Sequence, residues 1–169
     1  MTMVYDDTGD EATADVPVRK IRFTINGRKK VAEIEPRLLL ADLIRRCVGL
    51  TGTHRGCDTT NCGACTVLVD GKPVSSCLML ASNIEGKNVM TIEGLSRGGQ
   101  LDPVQQAFLK HQAFQCGYCT SGMIMAVKGL LAAHPHPSEK QARDYLSGNL
   151  CRCGTYVEVL AAVKELAGA

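Results

Sequence analysis

The sequence predicts an α+β fold with a small β-sheet in the first half of the chain and helices in the second. Apolar residues alternate with polar ones in short stretches up to Ile92, and after Gly94 they recur only at helical spacing. Between the two patterns lies a stretch rich in Gly and Ser, which is typical of a linker. We therefore predict two domains, 18–95 and 103–169, joined by a linker at 96–102.

The N-terminal segment 1–17 differs from the rest of the chain in charge. It holds five acidic residues, no Lys or Arg, and no hydrophobic period, so we predict a disordered acidic tail. The other 12 of the 17 acidic residues stand against 19 basic ones, which makes the body of the protein basic. These bases are scattered and no Lys/Arg run alternates with aromatics, so nucleic-acid binding is disfavoured. The pattern favours a solvated surface or a surface for an acidic partner subunit.

Two hairpins are predicted in the first domain. Residues 21–25 alternate apolar and polar side chains and end at Asn26-Gly27, a strong two-residue hairpin signal. A second short strand, 66–69, is followed by Asp70-Gly71. A further strand is predicted at 89–92.

One helix is predicted between the hairpins, because Leu39, Leu40, Leu43, Ile44 and Cys47 share helical spacing. Gly49 and Gly52 are predicted to end it. Two hairpins and one helix packed across a small sheet predict a β-grasp arrangement.

Four helices are predicted in the second domain. The first two contain the apolar residues of 104–108 and 123–131, and the fourth those of 157–166. His-Pro-His-Pro at 134–137 interrupts the chain, and Ser138 with Gln141 three residues later is typical of a capped helix start. The second domain is therefore predicted to be a four-helix bundle with its cysteines at helix ends.

Nine cysteines are the most informative feature of the composition. The first residues show no secretory signal, and no apolar run approaches the ~18 residues of a membrane span. We therefore expect a cytoplasmic protein without a membrane span. In a reducing compartment dense cysteine implies metal or redox chemistry, and the odd count argues against a disulfide framework.

The first cysteine set lies in GCDTTNCGACTVLVDGKPVSSC, residues 56–77. Its spacing, C-x4-C-x2-C with a fourth cysteine beyond a hairpin, matches the plant-type pattern that holds a 2Fe–2S cluster. Small residues at Gly56, Gly63 and Ala64 allow the backbone to approach the sulfurs closely. The predicted ligands of this first cluster are Cys57, Cys62, Cys65 and Cys77.

The second set combines C-x2-C with C-x-C after a gap of 31 residues, and its predicted ligands are Cys116, Cys119, Cys151 and Cys153. These segments flank predicted helices, whose N-terminal amides favour a negatively charged cluster. Structural zinc is the alternative, but four-thiolate zinc sites usually use two C-x2-C pairs. The spacing therefore favours a second 2Fe–2S cluster, and a zinc-stabilised interaction module remains the alternative from another class.

The motifs GCDTTNCGACTV with SSC, and QCGYC with NLCRC, resemble the small iron–sulfur subunit of molybdenum hydroxylases, the xanthine oxidase and aerobic carbon monoxide dehydrogenase superfamily. The resemblance covers residues 19 to about 166. It implies a plant-ferredoxin-like domain followed by a helical 2Fe–2S domain. It also implies an electron-transfer subunit of a heteromeric oxidoreductase, with no substrate chemistry on this chain. A freestanding two-cluster ferredoxin is disfavoured because the helical half would lack a docking partner.

The resemblance further implies partner subunits. A large subunit would carry molybdopterin, of the cytosine dinucleotide type, next to the helical-domain cluster. A medium subunit would carry FAD on the side of the ferredoxin-like cluster. Gln115 matches a glutamine that hydrogen-bonds the pterin, although a polar residue at a helix start is an equal alternative. Cys153 matches the ligand whose surroundings contact the pterin amino group.

Two positions depart from the family pattern. Gly154-Thr155-Tyr156 stands where Thr-Gly-Tyr is common, and Ser121 where Pro is common. Some relatives with the Gly-Thr order pair with a haem-bearing chain in place of the flavin chain, so a haem-bearing acceptor is an alternative partner.

None of the remaining candidate residues is predicted to be a cluster ligand. Cys47 falls on the apolar stripe of its helix and is predicted to be a core residue. His54 is predicted to be a surface residue or to tune the first cluster, and Arg152 to offset cluster charge or to contact the large subunit. His111, His134 and His136 lack a partner at metal-ligand spacing. No nucleophile–base pair is evident.

Overall fold

The computed structural model describes residues 16–96 and 98–168. Most of the predicted acidic tail, 1–15, lies outside the described residues, and Val16 and Pro17 are exposed. In the described part of the chain, no helix is both long and apolar enough to cross a membrane.

The first half forms one mixed five-stranded sheet, as predicted. Its strands are β1 (Arg19–Ile25), β2 (Arg28–Ile34), β3 (Thr66–Val69), β4 (Lys72–Ser75) and β5 (Asn88–Met90). Their order across the sheet is β2-β1-β5-β3-β4. Only the β1–β5 pair is parallel among these neighbours, and the other pairs are antiparallel. The long connection between β2 and β3 carries the helix and the first cysteine loop.

Both predicted hairpins are confirmed. Asn26 and Gly27 have φ values of 49° and 77°, and Asp70 and Gly71 have 49° and 80°. Positive φ at both central residues is the type I′ geometry, whose twist matches that of the flanking strands. The second hairpin matters for function because it returns the chain from β3 to the fourth cysteine of the first set.

The predicted helix is present but irregular. Helix α1 (Leu40–Asp42) continues as a π-helical turn, Leu43–Cys47, and its apolar side chains are buried under the sheet. Gly49 follows with φ 81°, so it ends the helix as predicted. Gly52 allows close packing instead, because a Cβ there would lie 2.5 Å from Ile92 Cγ2.

Strand β5 ends at Met90, two residues before the predicted end. Asn26 explains the difference, because its side chain, and not a neighbouring strand, forms the hydrogen bonds with Thr91. Its Oδ1 accepts from the Thr91 amide at 2.9 Å, and its Nδ2 donates to Thr91 Oγ1 at 2.9 Å. The chain then turns into a 3₁₀ segment, Ile92–Gly94. Another 3₁₀ segment, Ala81–Ile84, lies between β4 and β5.

The second half holds four helices, as predicted. They are α2 (Pro103–Lys110), α3 (Thr120–Ala133), α4 (Glu139–Leu146) and α5 (Tyr156–Leu166). The predicted capping box of Ser138 and Gln141 is confirmed at the start of α4. Asp102 and Gln105 form another at the start of α2.

Strand β3 joins the two halves because both of its faces are buried. Val67 and Val69 belong to the core beneath α1, whereas Leu68 belongs to the core of the helical half. Helix α3 lies on this second face at close range. A Cβ on Gly122 would collide with the Gly63 carbonyl oxygen, and one on Gly129 would lie 2.8 Å from Pro73 Cδ. The helical half is therefore packed directly onto the sheet and the first cysteine loop.

Candidate iron–sulfur centres

The first cysteine set is brought together by the β3–β4 hairpin. Three of its cysteines lie in the loop that enters β3, and Cys77 lies two residues after the end of β4. The hairpin pairs Thr66 with Ser75, which places Cys77 beside Cys65. Ser76, fully buried, donates its hydroxyl to the Cys65 carbonyl at 2.7 Å and fixes this juxtaposition. Sequence reasoning missed Ser76, although its position beside a candidate ligand marks it as a residue to test.

The sulfurs of this set meet in two pairs. The thiols of Cys57 and Cys62 shift each other's pKa, and the thiol of Cys77 shifts the pKa of Cys65, so each pair lies close together. Hydrogen bonds from the Thr59 hydroxyl and amide lower the pKa of Cys57 to about 6, the amide lying 3.4 Å from its sulfur. Burial raises the pKa of Cys65 to about 11 and also raises that of Cys62. One pair is thus half-exposed and the other lies in the interior.

Glycines make room around this set, but in two different ways. A Cβ on Gly56 would lie 2.9 Å from Cys62 Sγ, so the backbone approaches the sulfur there as predicted. The prediction for Gly63 was incomplete. A Cβ on Gly63 would overlap Asn149 and the Gly148 carbonyl, so the missing side chain lets the second half dock against the loop.

The second cysteine set comes from two segments that precede helices. Cys116 and Cys119 lie on the turn into α3, where Cys119 is the N-cap residue. Cys151 and Cys153 lie on the segment before α5. Cys151 is buried, whereas Cys116 is exposed, so this set reaches from the interior to the surface.

These four sulfurs also meet in pairs, Cys119 with Cys151 and Cys116 with Cys153. Burial raises the pKa of Cys119 to about 12. Burial also acts to raise the pKa of Cys151, but hydrogen bonds from Thr155 and Cys119 outweigh it and lower that pKa to about 7. Hydrogen bonds from the Tyr118 amide and from Cys153 lower the pKa of Cys116.

Both sets provide the donors that a 2Fe–2S cluster requires, which are four cysteine thiolates. Two close pairs of sulfurs suit a group with two irons, because each iron takes two thiolates. Within 16–96 and 98–168, no group of three or more Cys, His or carboxylate side chains is arranged around a single metal ion. The chemistry of the donors and the pairing of the sulfurs therefore fit two such clusters.

Direct hydrogen bonds join the segments that carry the two sets. The Leu150 amide, next to Cys151, donates to the Cys62 carbonyl at 2.9 Å. The buried Asn149 side chain donates from Nδ2 to the Gly63 carbonyl at 3.0 Å and to Thr66 Oγ1 at 3.3 Å. A candidate ligand of the first set, Cys62, is thus bonded to Leu150, the direct neighbour of the candidate ligand Cys151.

A second bridge connects the loops on the exposed side. Tyr118, between Cys116 and Cys119, donates its hydroxyl to the Arg55 carbonyl at 2.7 Å. His54 Nδ1–H donates to the Tyr118 carbonyl at 2.8 Å, and the two rings stack with centroids 4.8 Å apart. His54 therefore links the two loops, a role that its sequence position did not indicate.

The two residues predicted near the pterin lie together. Gln115 Nε2 donates to the Cys153 carbonyl at 3.4 Å, and Gln115 is exposed beside the exposed Cys116. The interdomain residues Asn149, Leu150 and Tyr118 were present in the quoted motifs, but only the fold shows their contacts.

The other candidate residues bind ordinary protein groups. Cys47 packs against the first core, as predicted, and Arg152 is exposed. His111 Nε2 contacts Glu165 Oε2 at 2.7 Å, and His136 Nδ1 donates to the Ala167 carbonyl at 2.8 Å.

Comparison with known proteins identifies both halves. Residues 23–91 match the family model of the 2Fe-2S iron-sulfur cluster binding domain, and residues 91–164 match that of the [2Fe-2S] binding domain. The nicotine 6-hydroxylase small subunit of Paenarthrobacter nicotinovorans is 44% identical over 88% of this chain and 90% of that protein. The aldehyde oxidoreductase iron-sulfur-binding subunit of Escherichia coli K12 is 39% identical over 93% and 75%.

A solved structure shows the same fold. The crystal structure of quinoline 2-oxidoreductase from Pseudomonas putida 86 contains a chain that matches with a TM-score of 0.86 and 46% identity. The match covers 90% of this chain and 95% of that one. Because both domains and these relatives match, the chain belongs to the molybdenum hydroxylase superfamily. It is a small, electron-transferring 2Fe–2S subunit of that superfamily.

Proposed function

We propose that the two cysteine sets are the ligands of the two clusters. Cys57 and Cys62 would hold one iron of the first cluster, and Cys65 and Cys77 the other. In the second cluster the pairs would be Cys116 with Cys153 and Cys119 with Cys151. Bound in this way, each cluster can take up and release one electron. Two geometric observations support this assignment. The β3–β4 hairpin and the Ser76 hydrogen bond hold Cys77 beside Cys65, and Gln115 binds the Cys153 carbonyl next to Cys116.

The surface of the second set suggests where electrons enter. The exposed Gln115 and Cys116 and the half-buried Cys153 form an edge of the helical half. We propose that this edge contacts molybdopterin, of the cytosine dinucleotide type, on a large subunit. Gln115 would then orient the pterin by hydrogen bonding. The protein groups beneath the edge, Cys151 and Thr155, are buried and keep water from the inner pair.

The contact between the halves suggests how electrons continue. The hydrogen bond from Leu150 to the Cys62 carbonyl places the two ligand segments in direct contact. We propose that electrons pass across this contact to the first set and then to FAD on a medium subunit. A haem-bearing chain is the alternative acceptor, because of the Gly154-Thr155 order.

The substrate site would lie on the large subunit. The relatives are named for nicotine, an aldehyde and quinoline as substrates, so aldehydes and N-heteroaromatic compounds are the classes to test. We also propose a cytoplasmic complex, since eight of the nine cysteines are needed as thiolates for the proposed clusters and a reducing compartment preserves them.

The test is to purify the native complex through a tag on this chain and to identify the co-purifying chains. Benzaldehyde, nicotinate and quinoline are then added anaerobically as probes, followed by freezing for electron paramagnetic resonance (EPR). In Cys77→Ser the probe should still reduce the second cluster but not the flavin. In Cys119→Ser it should reduce neither the first cluster nor the flavin.

Cys47→Ser is the matched control and should behave like the unmodified complex. Flavin reduction at the normal rate in Cys119→Ser would contradict the proposed order of the relay. Co-purification of a haem-bearing chain without a flavin chain would select the alternative acceptor.

A further inference from the structure

Thr155 lies in an unusual position beside a candidate ligand. It is the N-cap residue of α5 and is only 2% exposed. An N-cap threonine usually accepts a hydrogen bond from an amide of the first helical turn, but the Thr155 side chain makes no such bond. Its Oγ1 lies 3.1 Å from Cys151 Sγ. The hydroxyl is thus directed at a sulfur instead of at the helix.

The direction of this hydrogen bond follows from the chemistry of a ligand. A cysteine that binds iron is a thiolate, which can only accept. Thr155 must therefore donate its O–H to Cys151 Sγ. The backbone on either side is fixed, since the Cys151 amide donates to Tyr156 Oη at 2.8 Å and the Val159 amide to the Thr155 carbonyl at 3.0 Å.

We propose that Thr155 raises the reduction potential of the second cluster through its hydrogen bond to Cys151. The proposal rests on the ligation by Cys151 proposed above. Reduction adds one electron, and part of its negative charge falls on the ligand sulfurs. A donor to a ligand sulfur stabilises the reduced form more than the oxidised form. Burial strengthens the effect, because water does not screen the interaction.

Among the described residues, no buried hydroxyl is bonded to a sulfur of the first set. The Thr59 hydroxyl and amide donate to Cys57 there, but they lie in an exposed loop, and the amide is farther from the sulfur, at 3.4 Å. Thr155 is therefore a positioning and tuning residue for one cluster only. Loss of the Thr155 hydroxyl should therefore change the difference between the reduction potentials of the two clusters.

The experiment is a redox titration of the full chain in its complex, monitored by EPR so that each cluster is followed by its own signal. Thr155→Val removes the hydroxyl and preserves the shape of the side chain. We expect it to lower the equilibrium constant for reduction of the second cluster roughly tenfold. This corresponds to a reduction potential about 59 mV more negative for a one-electron couple. Thr155→Ser keeps the hydroxyl and should restore the normal potential. The first cluster is the internal control and should not change.

Unchanged potentials in a fully loaded Thr155→Val complex would overturn the inference, as would equal shifts in Thr155→Val and Thr155→Ser. If Thr155→Val does not assemble the second cluster, Thr155→Ala is judged by the same criterion. Iron and sulfide analysis of the unmodified complex distinguishes a wrong inference about Thr155 from a wrong assignment of the cluster ligands. Only the wrong assignment would leave the unmodified protein with fewer than two clusters.

Discussion

The two cysteine sets are built in different ways. The first lies within one segment, 57–77, and the β3–β4 hairpin closes it. The second is drawn from 116–119 and 151–153, which meet only when α3 and α5 are both in place. The segment just before Cys151 also binds the first cysteine loop, through Asn149 and Leu150. The first site is therefore locally formed, whereas the second depends on both the helical bundle and the first domain.

Exposure differs between the sets in a way that suits a relay. The sulfur pair of Cys65 and Cys77 is buried, and Cys62 lies at the contact with the second half. In the second set Cys151 lies at that contact and Cys116 at the surface. Of the two cysteines that adjoin the interdomain hydrogen bond, Cys151 is thus buried and Cys62 is half-buried, while one edge of the second set stays open to a partner.

The largest expected effect is the loss of one cluster without the other. In Cys119→Ser the second cluster should be absent, but the EPR signal of the first, after chemical reduction, should stay unchanged. The reason is that the first set is held by its own loop and hairpin. Loss of both signals in Cys119→Ser would show that the first site is not locally formed. Cys47→Ser should retain both.

Gly122→Ala should have the next largest effect. Alanine favours a helix over glycine, so helix propensity alone predicts stabilisation. The new Cβ would collide with the Gly63 carbonyl oxygen, and we expect a loss of about 1–3 kcal/mol in unfolding free energy. Denaturant unfolding of the anaerobic protein measures it.

The matched control is Gly148→Ala, because Gly148 has open space where a Cβ would be. It should change the unfolding free energy by less than about 0.5 kcal/mol. Equal effects of the two substitutions would argue against close packing of α3 on the first loop.

Asn149→Ala tests the hydrogen bonds between the halves. It removes the donor to the Gly63 carbonyl and to Thr66 Oγ1 in a buried site. We expect a loss of about 1–3 kcal/mol in unfolding free energy, with faster loss of the second cluster than of the first on exposure to a chelator. The exposed Asn83→Ala is the control. Faster loss of the first cluster would reverse our interpretation.

Tyr118→Phe should have the smallest effect of this series. It removes the hydrogen bond to the Arg55 carbonyl and keeps the ring stacked on His54. Since Tyr118 is half-exposed, we expect a loss of only about 0.5 kcal/mol. Tyr145→Phe, in α4, serves as a control. A loss as large as that of Asn149→Ala would make the exposed bridge the main link between the halves.

Local signals in the sequence predicted much of the fold. Asn26-Gly27 and Ser138 with Gln141 work through bonds between near neighbours, and both are found as predicted. The π-helical turn at Leu43–Cys47 was not predictable, because the same apolar spacing suits a regular α-helix. The early end of β5 was missed because it depends on Asn26, which is distant in sequence from Thr91.

The site shows the same division. Cysteine spacing predicted which residues form each set, because spacing reflects the local shape of a cluster-binding loop. The contacts of Gly63 with Asn149 and of His54 with Tyr118 join residues far apart in the chain. The direction of the Thr155 hydroxyl was also hidden, since an N-cap threonine ordinarily caps its helix.

The central claim is that two sets of four thiolates each hold a two-iron cluster in one small protein. The most direct test is to measure iron, acid-labile sulfide and zinc in the intact chain purified without oxygen. We predict about four iron atoms and about four sulfides per chain, as two 2Fe–2S clusters require, with no stoichiometric zinc. Half that iron content, or zinc in place of iron, would contradict the claim.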